Sequence, residues 1–217
     1  MASEITKEII ERSGIIPVLR ARSADEGHAL AEALAAGGIT VIEVTMTVPG
    51  AVDLLRALHS QYGDRVLLGS GTVTTAAQAE ATIEAGAEFV VSPSLHPEVI
   101  AATRARGKVS IPGAMTPTEA ITAWRAGADY VKIFPCSALG GASYLKALLA
   151  PFPELRLIPT GGVTLQTAAD FLRAGARALG VGTDLVNAHA IAQGHAEAVT
   201  ATARAYLNIV GKVRASL

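Results

Sequence analysis

Short apolar runs punctuate this chain, and four of them share one layout. These are AAGGITVIEVT (35–45), EAGAEFVVSP (84–93), RAGADYVKIFP (125–135) and RAGARALGVGT (173–183). Each opens on Ala-Gly, which suits the end of a helix because glycine tolerates the left-handed conformation there. Each continues into a run rich in Val, Ile and Phe, the pattern of a buried strand. The intervening polar stretches announce helices: SADE (23–26), TAAQ (75–78) and TPTE (116–119) fit the capping-box pattern, with Pro117 at the first helical position. Thr164 is the expected N-cap of TLQTAADFLRAG. At the N-terminus, Ile5, Ile9 and Ile10 fall at helical spacing within a polar segment.

Filling the gaps between these runs predicts eight strands: Ile15–Arg20, Thr40–Thr45, Val66–Ser70, Phe89–Ser92, Lys108–Ile111, Tyr130–Phe134, Leu155–Pro159 and Ala178–Gly182. A helical pattern follows each one, and runs this apolar are expected of parallel strands covered on both faces. Eight βα units in a chain of 217 residues fit an α/β fold of the (β/α)8 TIM-barrel type. An open doubly wound sheet is the alternative, but it usually carries fewer strands and an early Gly-rich fingerprint. The segment before the first strand becomes an additional N-terminal helix covering the barrel bottom. No Pro/Gly/Ser-rich linker divides the chain, so residues 1–217 are expected to form one barrel domain.

Composition narrows the function. Half the residues are hydrophobic and only 17% are charged, with a net charge of -1. With no basic run and few aromatics, nucleic acid is not an expected partner. Cys136 is the only cysteine, which excludes an intrachain disulfide and fits a reducing cytoplasm. The N-terminus lacks the apolar core of a signal peptide, and no run reaches the roughly 18 residues of a membrane span.

In a barrel, chemistry belongs at the C-terminal ends of strands, and polar residues gather there: Arg20, Glu43, Thr45, Thr47, Ser70, Thr72, Ser92, Ser94, Lys132, Thr160 and Thr183. Taken singly, the hydroxyl residues read as helix caps and Arg20 as a solvated loop residue. Glu43 and Lys132 stand apart because each is embedded in an apolar strand, in VIEVT and YVKIF. They are either a buried ion pair or a catalytic pair. Desolvation makes a buried pair poor value for stability, whereas burial favours a neutral amine that attacks carbonyls, with Glu43 as general acid–base. The turns PTGGV (159–163) and GVGTD (180–184) lie where barrel loops often present backbone N–H groups to a phosphate. His189 and His195 lack metal-site spacing and read as surface residues. Cys136 reads as a small core residue, and Trp124 as packing on a helix.

These pieces together resemble a family, the bacterial 2-keto-3-deoxy-6-phosphogluconate (KDPG) / 4-hydroxy-2-oxoglutarate (KHG) aldolases, which are class I enzymes. The matching segments are PVLR (17–20), AGGITVIEVT (36–45), GSGTV (69–73), VSP (91–93), IPGAMTPTE (111–119), VKIFP (131–135) and PTGGV (159–163), in family order across nearly the whole chain. The resemblance implies Lys132 as the Schiff-base lysine and Glu43 as the proton carrier, with no metal and no cofactor. It implies that Thr72, Pro93 and Phe134 line a pyruvate pocket, that Thr160, Gly161 and Gly162 contact substrate, and that Gly182 and Thr183 lie at a phosphate end. It also implies a homotrimer acting on small 2-keto acids and aldehydes. One departure is Thr47, where some members carry a substrate-holding arginine; others share this threonine and an arginine ending strand 1. Arg20 is therefore expected to supply the positive charge. The alternatives are an aldolase preferring the galactonate epimer (KDPGal), a phosphosugar isomerase or synthase on a similar barrel, and a non-catalytic phosphometabolite-binding barrel.

Overall fold

The structure is a computed structural model that describes residues 2–216. Helix α1 (Ala2–Ser13) leads into alternating strands and helices: β1 (Ile15–Leu19), α2 (Ala24–Ala36), β2 (Val41–Thr45), α3 (Ala51–Tyr62), β3 (Leu67–Gly71), α4 (Ala76–Glu84), β4 (Phe89–Val91) and α5 (Pro97–Ala105). Then come β5 (Val109–Ile111), β6 (Gly113–Ala114), α6 (Pro117–Arg125), β7 (Val131–Ile133), α7 (Ala142–Leu149), β8 (Leu157–Pro159), α8 (Ala168–Arg173), β9 (Leu179–Val181), α9 (Ala188–Ala192) and α10 (Ala196–Arg214). All eight expected strands are present, the fifth in two pieces. Pro112 separates β5 from β6 because it has no N–H to continue the ladder.

Every pairing is parallel. One sheet runs β5-β4-β3-β2-β1-β9 and the other β6-β7-β8. Pro112 joins them on one side, where its carbonyl accepts from Lys132 N–H at 2.9 Å. On the other side a parallel bridge links Thr160 to Gly180. The sheet therefore curls into the expected (β/α)8 barrel.

Helix α1 closes its bottom. Ile10 is fully buried and clusters with Ile16, Val41, Phe89, Val109, Tyr130 and Ile158, residues from six different strand regions. Burying such a side chain contributes about 1.5–3 kcal/mol. Tyr130 Oη donates to Glu11 at 2.9 Å, and Lys7 pairs with Asp129 at 3.5 Å, fixing the helix against the strand that bears Lys132.

Three Ala-Gly endings behave as expected, with Gly86, Gly127 and Gly175 at φ of 108°, 94° and 101°; in the first, Gly37 stays right-handed at φ of -79° and the next residue, Gly38, takes the positive φ. Helix starts differ in detail. Of the three expected capping boxes, only Thr116 and Glu119 form a full one. Ser23 and Thr75 each accept from the expected backbone N–H, but Glu26 and Gln78 reach one residue further back, to the N–H of Arg22 and Thr74. Thr164 does not start α8. It caps a separate turn, accepting from Thr167 N–H at 3.3 Å, and α8 begins at Ala168. The turn runs into the helix through the bond from Ala168 N–H to the Thr164 carbonyl at 2.9 Å.

Candidate active site

The period-two alternation of strands decides which side chains enter the barrel. On β7, Val131 and Ile133 pack outward into the main core, so Lys132 points in, one level above Tyr130. On β2, Ile42 and Val44 pack outward, so Glu43 points in, one level above Val41. Lys132 and Glu43 thus meet above the bottom apolar layer, with Lys132 Nζ 3.9 Å from Glu43 Oε1. Lys132 is 5% and Glu43 2% exposed.

That separation is beyond hydrogen-bond range, and Glu43 Oε1 has no hydrogen-bond partner. Burial raises the Glu43 carboxyl above its ordinary value, and the charges of Lys132 and Arg20 oppose that rise without cancelling it. A buried carboxyl raised in this way holds its proton more readily than an exposed one, which suits a proton carrier. Room for it comes from Gly71, at the end of β3, where a Cβ would stand 1.9 Å from Oε1. Facing the amine, the Phe134 ring centroid lies 5.3 Å from Nζ.

Beside this pair opens a cavity of about 470 Å³. Arg20, Phe134, Thr160 and Gly161 line it, together with Gly162, Gly182 and Thr183. Phe134 borders both the cavity and the amine. Arg20 makes no ion pair or side-chain hydrogen bond among the described residues, so its charge is unspent. The backbone N–H groups of Gly162 and Thr183 likewise donate to no acceptor among the described residues.

The remaining expected residues fall around the same end of the barrel. Thr72 directly follows Gly71 and holds φ of 58°, a strained conformation for a β-branched residue. Pro93 lies against Gly113, where a Cβ would come within 2.4 Å of its carbonyl, and Gly113 pairs with Lys132. Thr47 is different. Thr45 Oγ1 donates to Leu19 O at 2.9 Å, so in the 2.7 Å contact between the two hydroxyls Thr47 must be the donor. Thr47 is exposed, does not line the cavity, and has only acceptor capacity left.

Several other hydroxyls are structural. Ser70 accepts from Thr82 at 2.8 Å, and Ser94 bonds His96. Cys136 is buried, and desolvation pushes its thiol up to about 11, which leaves it inert as a nucleophile. His189 and His195 are exposed, and Trp124 packs against the main core. Sequence reasoning missed Gly71 and Asp184. Gly71 lies one residue past the end of the expected strand, and the paired glycines of GSG were the available signal for it; Asp184, in a loop, carried none.

The model for the KDPG and KHG aldolases matches residues 6–202. The chain belongs to that family. The aldolase is 40% identical over 205 residues to the 2-dehydro-3-deoxy-phosphogluconate aldolase of Treponema pallidum, covering 94% of this chain and 97% of the relative. It is 36% identical to the 2-dehydro-3-deoxy-6-phosphogalactonate aldolase of Escherichia coli, covering 90% and 96%. In structure it resembles the KDPG aldolase of Legionella pneumophila, solved with pyruvate captured as a covalent carbinolamine, with a TM-score of 0.85 at 32% identity over 92% of this chain and 97% of the other. Members are class I aldolases, lyases that work through a covalent Schiff base and need no cofactor. No helix among the described residues is long and apolar enough to cross a membrane.

Proposed function

We propose that this aldolase reversibly cleaves 2-dehydro-3-deoxy-6-phosphogluconate (KDPG) to pyruvate and glyceraldehyde 3-phosphate, with Lys132 as the Schiff-base residue and Glu43 as the proton carrier. The observation that carries the assignment is the buried pair itself: an amine 3.9 Å from a carboxylate oxygen that nothing else engages. A pair built for stability would close that gap. The gap instead leaves both groups free for a reacting molecule.

The Lys132 Nζ lone pair attacks the C2 ketone, and loss of water gives an iminium ion. Glu43, directly or through a water, takes the proton from the C4 hydroxyl. The C3–C4 bond breaks, its electron pair passes into the iminium, and the aldehyde leaves. Protonation of the enamine at C3 and hydrolysis then release pyruvate and the free lysine. Thr72, Pro93 and Phe134 enclose the pyruvate half, while Thr160, Gly161, Gly162, Gly182 and Thr183 hold the aldehyde and its phosphate. Arg20 supplies the charge that Thr47, with no hydrogen left to donate, does not.

The similarity to the Treponema enzyme supports KDPG as the first substrate. The E. coli relative makes the galactonate epimer the second reading, and 4-hydroxy-2-oxoglutarate, cleaved to pyruvate and glyoxylate, is a further substrate. The family resemblance also supports one aldolase domain over residues 1–217, assembled as a homotrimer in the cytoplasm.

Borohydride reduction with pyruvate tests the core of this reading. A stable adduct is expected on Lys132, with none in Lys132→Ala, which should also lose turnover while keeping its circular-dichroism spectrum. Turnover surviving in Lys132→Ala would overturn the assignment. A coupled pyruvate-release assay across KDPG, KDPGal and 4-hydroxy-2-oxoglutarate ranks the substrates.

A further inference from the structure

Asp184 presents a difficulty for a cavity meant to take an anion. It lies on the rim, directly after Gly182 and Thr183, and a mobile carboxylate there would repel a phosphate. The structure shows what holds it. Tyr206, fully buried on α10, donates its hydroxyl to Asp184 Oδ2, and Leu165 N–H donates to the same oxygen at 3.3 Å. The Val163 carbonyl also lies 3.4 Å from the Tyr206 hydroxyl. One oxygen of the carboxylate is thereby tied to α10 and to the neighbouring loop.

The same contacts join three separate pieces of chain. Asp184 belongs to the loop after β9. Val163 and Leu165 belong to the loop after β8, and Tyr206 to a long helix packed outside the barrel. These two loops present the unengaged N–H groups of Gly162 and Thr183. Donors on different loops can grip one anion only when the loops are held at a fixed separation. No covalent or sheet pairing links the loop tips, because the β8–β9 bridge ends at Thr160 and Gly180.

We propose that Asp184 and Tyr206 are positioning residues that lock the β8 and β9 loops in the spacing an anionic substrate end requires. The inference rests on the aldolase reading for the identity of that anion, but not for its existence. Asp184 acts through geometry against the sign of its own charge, and that sets up a test with opposite expectations.

The probe is inorganic phosphate, titrated calorimetrically into the folded full-length chain. If Asp184 acted only through its charge, Asp184→Ala would bind phosphate more tightly. The clamp requires the opposite, an affinity about tenfold weaker, the size expected for loss of a hydrogen bond to a charged group. Asp184→Asn keeps an acceptor oxygen for Tyr206 and Leu165 and loses the charge, so it should restore wild-type affinity or exceed it. Tyr206→Phe keeps the buried ring and should weaken phosphate binding by the same order. It should raise KM for a phosphorylated substrate with little change in kcat, and leave deuterium exchange at C3 of pyruvate unaltered. Tighter phosphate binding in Asp184→Ala, unchanged binding in Tyr206→Phe, or an equal loss of pyruvate exchange would overturn the proposal. Failure of wild type to exchange pyruvate would instead count against the aldolase chemistry, while the phosphate titrations would still read the clamp.

Discussion

Replacing Gly71 by alanine adds one methyl group and aims it at Glu43. In the present geometry that Cβ would stand 1.9 Å from Oε1, 2.5 Å from Cδ and 2.6 Å from Cγ. Since non-bonded heavy atoms rest about 3.5 Å apart, the carboxylate must retreat by roughly 1.5 Å. Gly71 itself has an ordinary strand backbone, so alanine brings no φ penalty and the collision is the whole effect. A displacement of about 1 Å in a reacting group costs on the order of 100-fold in rate. The expected result is a loss of kcat of that order, read by coupling pyruvate release to NADH oxidation. Overpacking should cost about 1–3 kcal/mol, a Tm drop of roughly 2–12 °C for a chain this size. Assays run well below the new Tm therefore separate the two effects. If the methyl group acts through Glu43, adding Gly71→Ala to Glu43→Gln should reduce activity little beyond Glu43→Gln alone. A folded Gly71→Ala variant with kcat within about threefold of wild type would refute the reasoning, because Glu43 would then have no need to occupy its observed position.

Three further outcomes follow from the charges around the cavity. Arg20→Ala should raise KM for a phosphorylated 2-keto-3-deoxy acid by about tenfold or more, the scale of one charge-assisted contact; an unchanged KM would remove Arg20 as the replacement for the arginine absent at Thr47. Because burial raises the Glu43 carboxyl, the acid limb of kcat/KM should lie above pH 4.5, and Glu43→Gln should abolish it. The same shift predicts stability. Glu43's contribution is fully present below its ordinary value near 4.5 and is lost as pH rises through the raised folded value. Denaturation midpoints of Glu43→Gln should accordingly fall less than those of wild type across that window, and parallel curves would contradict the shift.

Much of this molecule was legible in one dimension. The Ala-Gly endings marked where helices stop, because a left-handed residue is a local requirement that glycine meets. Lys132 and Glu43 were visible because a charge within an apolar strand violates the local pattern, and alternation alone predicts that both face the opposite side from their neighbours. Helix α1 was legible for the same reason, through its isoleucine spacing. Local signals were weaker where two answers satisfy the same residues: Thr164 could cap a helix or a turn, and it caps the turn that precedes α8.

Other properties belong to contacts between segments far apart in sequence, and only the tertiary structure decided them. The barrel register brings Gly71 against the Glu43 carboxylate and sets the 3.9 Å gap to Lys132. It also consumes the Thr47 hydrogen, through a chain of hydroxyls ending on the carbonyl of β1. The long C-terminal helix delivers Tyr206 to Asp184. A strand's periodicity says which way a side chain faces, since that depends on its own backbone. What it meets there depends on the register and rotamers of chains it is not bonded to, and closure of the barrel determines both.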